Sequence, residues 1–230
     1  MDFDSSSPDI CALIRGKAPS TCMSYHEDGI HLFVTSETDH RLRVIDTIRG
    51  TSDTAPIKFE KEGIHLVQAT HHNQCVLCTT SSSSSHSKAS NSIQYLSLYD
   101  NKIVRQFSPS ESTTMGRIHT VSMSPVDDLF LSSSTDRMIR LYDISMPKCI
   151  AELPLPSQGI SSSYGLIDLD TTSSPCAAFD STGLVFAVSA RVLSPSDHVR
   201  LLGCIYIYWG LCILYFHIFI ITCVYSFIFF

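Results

Sequence analysis

"SMSPVDDLFLSSSTDRMIRLYD", residues 122–143, decides the fold. A strand-like start ends in Ser-Pro, Val126-Asp127-Asp128 makes a tight acidic turn, and Leu129-Phe130-Leu131 opens a second apolar run. A polar turn carrying Asp136 follows, then an alternating strand that closes on Tyr142-Asp143. Leu131, Ile139 and Leu141, with Val121 and Met123, alternate with polar residues at period two, as half-buried antiparallel strands require. The Asp136 carboxylate can accept backbone N–H bonds and so hold the hairpin in shape.

The pattern recurs along the chain. In "CMSYHEDGIHLFVTSETDHRLRVID", residues 22–46, Asp39 precedes Asp46 by seven residues, as Asp136 precedes Asp143. The stretch from Gly63 to Phe107 fits with an enlarged Ser-rich loop at 79–92, closing on Tyr99-Asp100 with Asn91 at the turn position. A fourth copy begins at "CAAFDSTGLVFAVSARVLSPSDHVRLL", residues 176–202, with Asp197 at its turn. From Asp46 to Asp100 is 54 residues and from Asp100 to Asp143 is 43. The second value is that of a four-stranded propeller blade, and the first exceeds it by about the length of the insertion. Helical periodicity is absent from 20 to 200, so the chain reads as all-β, with hairpin turns near Asp28, Asp39, Asp128, Asp136 and Asp180.

These residues carry a resemblance. Each unit resembles a WD repeat, with Ile-Asp or Tyr-Asp where that family usually has Trp-Asp. "YLSLYDNKIVRQF", "VSMSPVDDLFLSSSTDRMIRLYDI" and "AFDSTGLVFAV", in that order, are similar to Swd2-type WD-repeat proteins. The resemblance covers about residues 20–200. It implies a seven-bladed propeller, of which this chain would supply about three and a half blades, near 20–50, 60–108, 117–153 and 174–202. Residues 1–19 would form a disordered or edge segment. In this reading Asp39, Asn91, Asp136 and Asp197 are blade-turn residues, and Asp46, Asp100 and Asp143 close the repeats. The sequence departs from the family in two ways. No Gly-His pair precedes Ile118, and no Trp occurs before Trp209, so the family's His-Ser-Asp-Trp hydrogen-bond network is incomplete in every blade.

The last thirty residues, 201–230, contain no Asp, Glu, Lys or Arg. As a helix the stretch is long enough to cross a bilayer, for which about twenty apolar residues suffice. Phe, Ile, Tyr, Leu and Cys fill 23 of its 30 positions, and all have T-rich codons, as a translated intron would give. The repeat breaks at Cys204, where the closing Asp of the fourth blade is due. Residues 203–230 are therefore expected to be an apolar tail, either translated intron on a truncated array or a transmembrane anchor.

The net charge of −6 gives no basic field to draw nucleic acid, and nine unpatterned cysteines behind an acidic, polar start read as reduced thiols. Cys75 and Cys78, with His71 and His72 before them, have metal-like spacing but no second ligand pair, and a strand points positions three apart to opposite faces. No nucleophile elbow or phosphate-cradling loop occurs. Asp127-Asp128 caps a turn. The chain is thus expected to be a protein-binding scaffold, not an enzyme, with no cofactor and no metal.

The resemblance implies a nuclear subunit of a Set1/COMPASS-type histone H3 lysine-4 methyltransferase complex that links it to transcribed chromatin, with a role in mRNA cleavage and polyadenylation in some lineages. Its partners would be a SET-domain methyltransferase, the other subunits and the RNA polymerase II machinery. The alternatives are a WD-repeat adaptor of another complex, such as a ubiquitin ligase, or a membrane protein anchored through 204–230.

Overall fold

The computed structural model describes residues 13, 14, 16, 18–52, 55–59, 63–81, 91–109, 115–155, 160–162, 165–169, 174–193, 201–208 and 216–217. No helix occurs among them, and the strands gather into four antiparallel sheets. The first holds β1 (Cys22–Tyr25), β2 (His31–Ser36), β3 (Arg41–Asp46), β4 (Thr51–Ser52) and β5 (Ile57–Lys58). The second holds β6 (Gly63–Ala69), β7 (Cys75–Ser81), β8 (Asn91–Ser97) and β9 (Lys102–Phe107). The third holds β10 (Ile118–Met123), β11 (Leu129–Ser134), β12 (Met138–Asp143) and β13 (Ala151–Pro154). Each pairs its strands in chain order, as consecutive hairpins must; in the first sheet both β4 and β5 pair with β3.

The fourth sheet contains β14 (Ile160–Ser162), β15 (Gly165–Leu169), β16 (Cys176–Phe179), β17 (Val185–Leu193), β18 (Leu201–Tyr208) and β19 (Phe216–His217). It repeats the meander as β16-β17-β18-β19, and the β14–β15 hairpin adds to the far end of β17. β18 pairs with β17 along its whole length, from Val192↔Leu201 to Val185↔Tyr208. This strand runs past residue 202, where the sequence reading begins the tail. Ile205-Tyr206-Ile207-Tyr208 is β-branched and aromatic in alternation, a composition that suits a pleated strand. No helix among the described residues is long and apolar enough to cross a membrane. Residues 209–215 and 218–230, the remainder of the expected tail, lie outside the described residues.

The central strands are buried on both faces, where the period-two reading expected one. Leu131, Ile139 and Leu141 pack toward the fourth sheet on Ala177, Phe186 and Val188. Phe130 and Tyr142, one position out of phase, pack toward the second sheet on Leu77, Ile93 and Phe107. Val76 and Cys78 face the other way, onto Phe33, Leu42 and Val44 of the first sheet. Alternate side chains of one strand therefore enter two different cores. Among the polar positions Ser133 escapes the usual penalty through hydrogen bonds, whereas the buried Ser132 hydroxyl has no partner among the described residues. Ser133, fully buried, donates to the Pro175 carbonyl at 2.7 Å and lies 2.6 Å from the Thr120 hydroxyl.

Candidate interaction surface

In each of the first three sheets the turns after the first and third strands lie at one end, and backbone bonds tie them together. Thr47 N–H donates to the Ile30 carbonyl, Leu98 to Gln74, and Ile144 to Asp128, each at 2.8–2.9 Å. The turns after the first strands also touch from sheet to sheet. His71 Nδ1 lies 2.6 Å from the Glu27 carboxylate of the first sheet, and its Nε2 lies 2.9 Å from the Ser124 carbonyl of the third. Gly183 of the fourth sheet approaches so closely that a Cβ there would stand 2.8 Å from Ser124 Oγ and 3.5 Å from a Val126 methyl. Glu27, His71, Ser124 and Gly183 thus make one ridge across four sheets.

This His71 end carries exposed apolar side chains: Ile48 (76% exposed), Tyr99 (83%), Val126 (64%), Met146 (45%) and Leu184 (60%). Rigid turns that present separate apolar tips can bind another protein. Asp28 shows how the turns are stiffened: its Oδ1 accepts Ile30 N–H at 2.8 Å and His31 N–H at 3.0 Å. Burial works against the Asp28 charge, but these bonds and the neighbouring His31 and His26 hold its carboxyl far below the usual range.

At the opposite end the described turns carry polar contacts. Arg117, just before β10, reaches Glu37 of the first sheet at 3.0 Å, and His65 on β6 lies 3.3 Å from the same carboxylate. Burial and the Arg117 charge lower the His65 pKa despite Glu37. None of the exposed large apolar side chains among the described residues lies in this end's turns.

Asp39 and Asp136 sit in the β2–β3 and β11–β12 turns, each followed by a residue in the left-handed region, His40 (φ 55°) and Arg137 (φ 63°). Each also holds an arginine four positions on, Arg43 and Arg140. Asp46 and Asp143 end β3 and β12, and both accept turn N–H bonds, Asp46 from Ile48 and Arg49, Asp143 from Ser145. The second sheet departs from the expected positions. Asn91 is the first residue of β8, where its amide donates to the Met115 carbonyl at 3.0 Å, and Tyr99-Asp100 lies beyond the strand in the β8–β9 turn. Ser97 is the residue that ends this strand, so Leu96, 2% exposed, takes the buried place that Tyr142 fills in the third sheet. Asp197 lies outside the described residues. Sequence reasoning missed Arg43, Arg140 and Arg117, and weighed His71 only as a neighbour of Cys75 and Cys78. The first two were visible as a repeated pattern, "TDHRLR" and "TDRMIR".

Sheets of four antiparallel strands in chain order, packed face to face through both surfaces, define a β-propeller architecture. Of solved structures, the Kuenenia stuttgartiensis hydrazine synthase matches with a TM-score of 0.57 over 83% of this chain and 51% of that one. At 14% identity that likeness concerns the fold alone. No protein-family model matches the chain. Among curated proteins, the Set1 complex component swd2 of Schizosaccharomyces pombe is 32% identical over 74% of this chain and 40% of its own length. WD repeat-containing protein 82 of Drosophila melanogaster is 32% identical over 74% and 44%, and the COMPASS component SWD2 of Saccharomyces cerevisiae 30% over 74% and 43%. The chain belongs to the WD-repeat proteins of the Swd2 type. Its match spans less than half the length of these relatives.

Proposed function

We propose that this chain serves as a non-catalytic scaffold subunit of a Set1/COMPASS-type histone H3 lysine-4 methyltransferase complex and docks its partners through the His71 end. The similarity to the Set1 complex component of fission yeast supports the complex, and the apolar turn tips, which among the described residues occur at this end, support the surface. In this reading the SET-domain partner performs methyl transfer, and the subunit helps to place it on transcribed chromatin in the nucleus. A contribution to mRNA cleavage and polyadenylation belongs to the same reading.

The test is recovery of a tagged, full-length protein from its own cells. A SET-domain methyltransferase should co-purify, and deletion should lower trimethylation of lysine four of histone H3. Replacing Tyr99 and Leu184 with serine should weaken recovery without lowering the melting temperature, because both are largely exposed. Unchanged methylation in a clean deletion, or recovery of a ubiquitin ligase instead, would overturn the assignment.

A further inference from the structure

His71 stands between two hydrogen-bond acceptors, and this constrains its ring. Nδ1 faces the Glu27 carboxylate at 2.6 Å and Nε2 faces the Ser124 carbonyl at 2.9 Å. A neutral imidazole carries one N–H, so one nitrogen would turn a lone pair toward an oxygen; only the imidazolium donates from both. The two acceptors also come from different sheets, on either side of the sheet that carries His71.

We propose that His71 is a proton-operated latch between the first three sheets. Protonated, it joins the β1–β2, β6–β7 and β10–β11 turns; deprotonated, it releases one of its two neighbours. Ser124 is the residue to feel this most, because its hydroxyl accepts the Val126 and Asp127 N–H groups at 3.4 and 3.3 Å. The latch thus sets the rigidity of the turn that carries Val126. This goes beyond a scaffold role and holds for any partner.

The surrounding charges favour the protonated form. Glu27 comes from the β1–β2 turn, where Asp28 is committed to His26 and His31 at 3.1 and 2.5 Å. The β10–β11 turn brings the Ser124 carbonyl, the Asp127 backbone and the exposed Asp127 and Asp128 carboxylates. His72, next on the same turn, accepts the Gln74 N–H through Nδ1 at 3.2 Å. Burial disfavours the charge on His71, but the Ser124 carbonyl and the Glu27 carboxylate outweigh it and raise the pKa above the ordinary value of 6.5. A raised folded-state pKa means that the stabilisation is complete below the unfolded value and is lost as pH rises through the folded one.

Imidazole titration by NMR on the whole chain tests this, with His71→Gln to assign the resonance and Glu27→Gln as the informative variant. Glu27 is 63% exposed, so its replacement leaves the packing alone. The resonance should titrate above 6.5, and Glu27→Gln should lower that value by about half a pH unit or more. The melting temperature of the wild type should exceed that of His71→Gln at about pH 5.5, and the gap should close by about pH 9. A His71 that titrates at or below 6.5, or a gap that stays constant across this range, would overturn the latch.

Discussion

The carboxylate of Asp136 holds the guanidinium of Arg140 at 2.7 Å across the β11–β12 turn, and the pair is repeated by Asp39 and Arg43 in the first sheet. Arg140 is 2% exposed, and Ser134 and Glu152 accept its remaining bonds at 3.0 and 3.3 Å. A buried cation with its partner removed costs more than the pair contributes, so Asp136→Asn should destabilise by about 3 kcal/mol. Chemical denaturation measures this. The variant that adds Arg140→Met and Glu152→Gln should recover part of the loss, since the cation and both carboxylates that faced it are then gone. Asp39→Asn should cost less, because the Arg43 side chain is 13% exposed.

The same carboxylates shape the acid side of the stability curve. Burial raises the Asp136 pKa, but Arg140, Ser134 and the Met138 N–H together lower it below the usual carboxylate value. A depressed folded-state pKa gives stability that is present above the unfolded value of 3.8 and lost as pH falls through the folded one. Melting temperatures between about pH 5 and pH 2 should therefore fall less steeply for Asp136→Asn than for the wild type.

Tyr142 is fully buried, stacked on Phe130 with ring centroids 4.9 Å apart, and its hydroxyl has no hydrogen-bond partner among the described residues. Burial raises its pKa, followed by the nearby Cys149. An unpaired buried hydroxyl is a net cost, so Tyr142→Phe should raise stability by about 1 kcal/mol while keeping the stack. A loss of stability would show that the hydroxyl is satisfied.

Gly29 and Gly183 have nearly the same backbone, φ 68° and 69°, in corresponding turns of the first and fourth sheets. A Cβ at Gly29 meets nothing within 4 Å, whereas one at Gly183 strikes Ser124 Oγ. Gly29→Ala should cost about 1 kcal/mol for the left-handed conformation alone. Gly183→Ala should cost measurably more, and the difference in denaturation midpoints isolates the contact between the third and fourth sheets.

Much of this was legible in the sequence because the turns are built from local chemistry. Asp28, Asp136 and Asp180 bond to backbone N–H groups within five residues, so composition and spacing reveal them. The second sheet was harder to read. Its Asn91 and Asp100 stand nine residues apart where the other units have seven, and the chain absorbs the difference by ending β8 at Ser97. The contacts between sheets were not legible at all. His71 meets Ser124 across 53 residues and Arg117 meets Glu37 across 80, and no local pattern encodes such encounters.

The two-faced burial of the central strands also sets how damage spreads. Leu131 and Phe130 are adjacent in β11 but belong to different junctions, so their losses are felt by different neighbours. An array built this way behaves as a one-dimensional chain of nearest-neighbour couplings. Truncating Ile139 should uncouple the fourth sheet from the third while amide protons in β7 stay slow to exchange. Truncating Phe130 should leave Val188 protected and expose β7. Hydrogen exchange would then resolve the molecule into units that loosen separately, beginning where β1 leaves Met23 and Tyr25 uncovered.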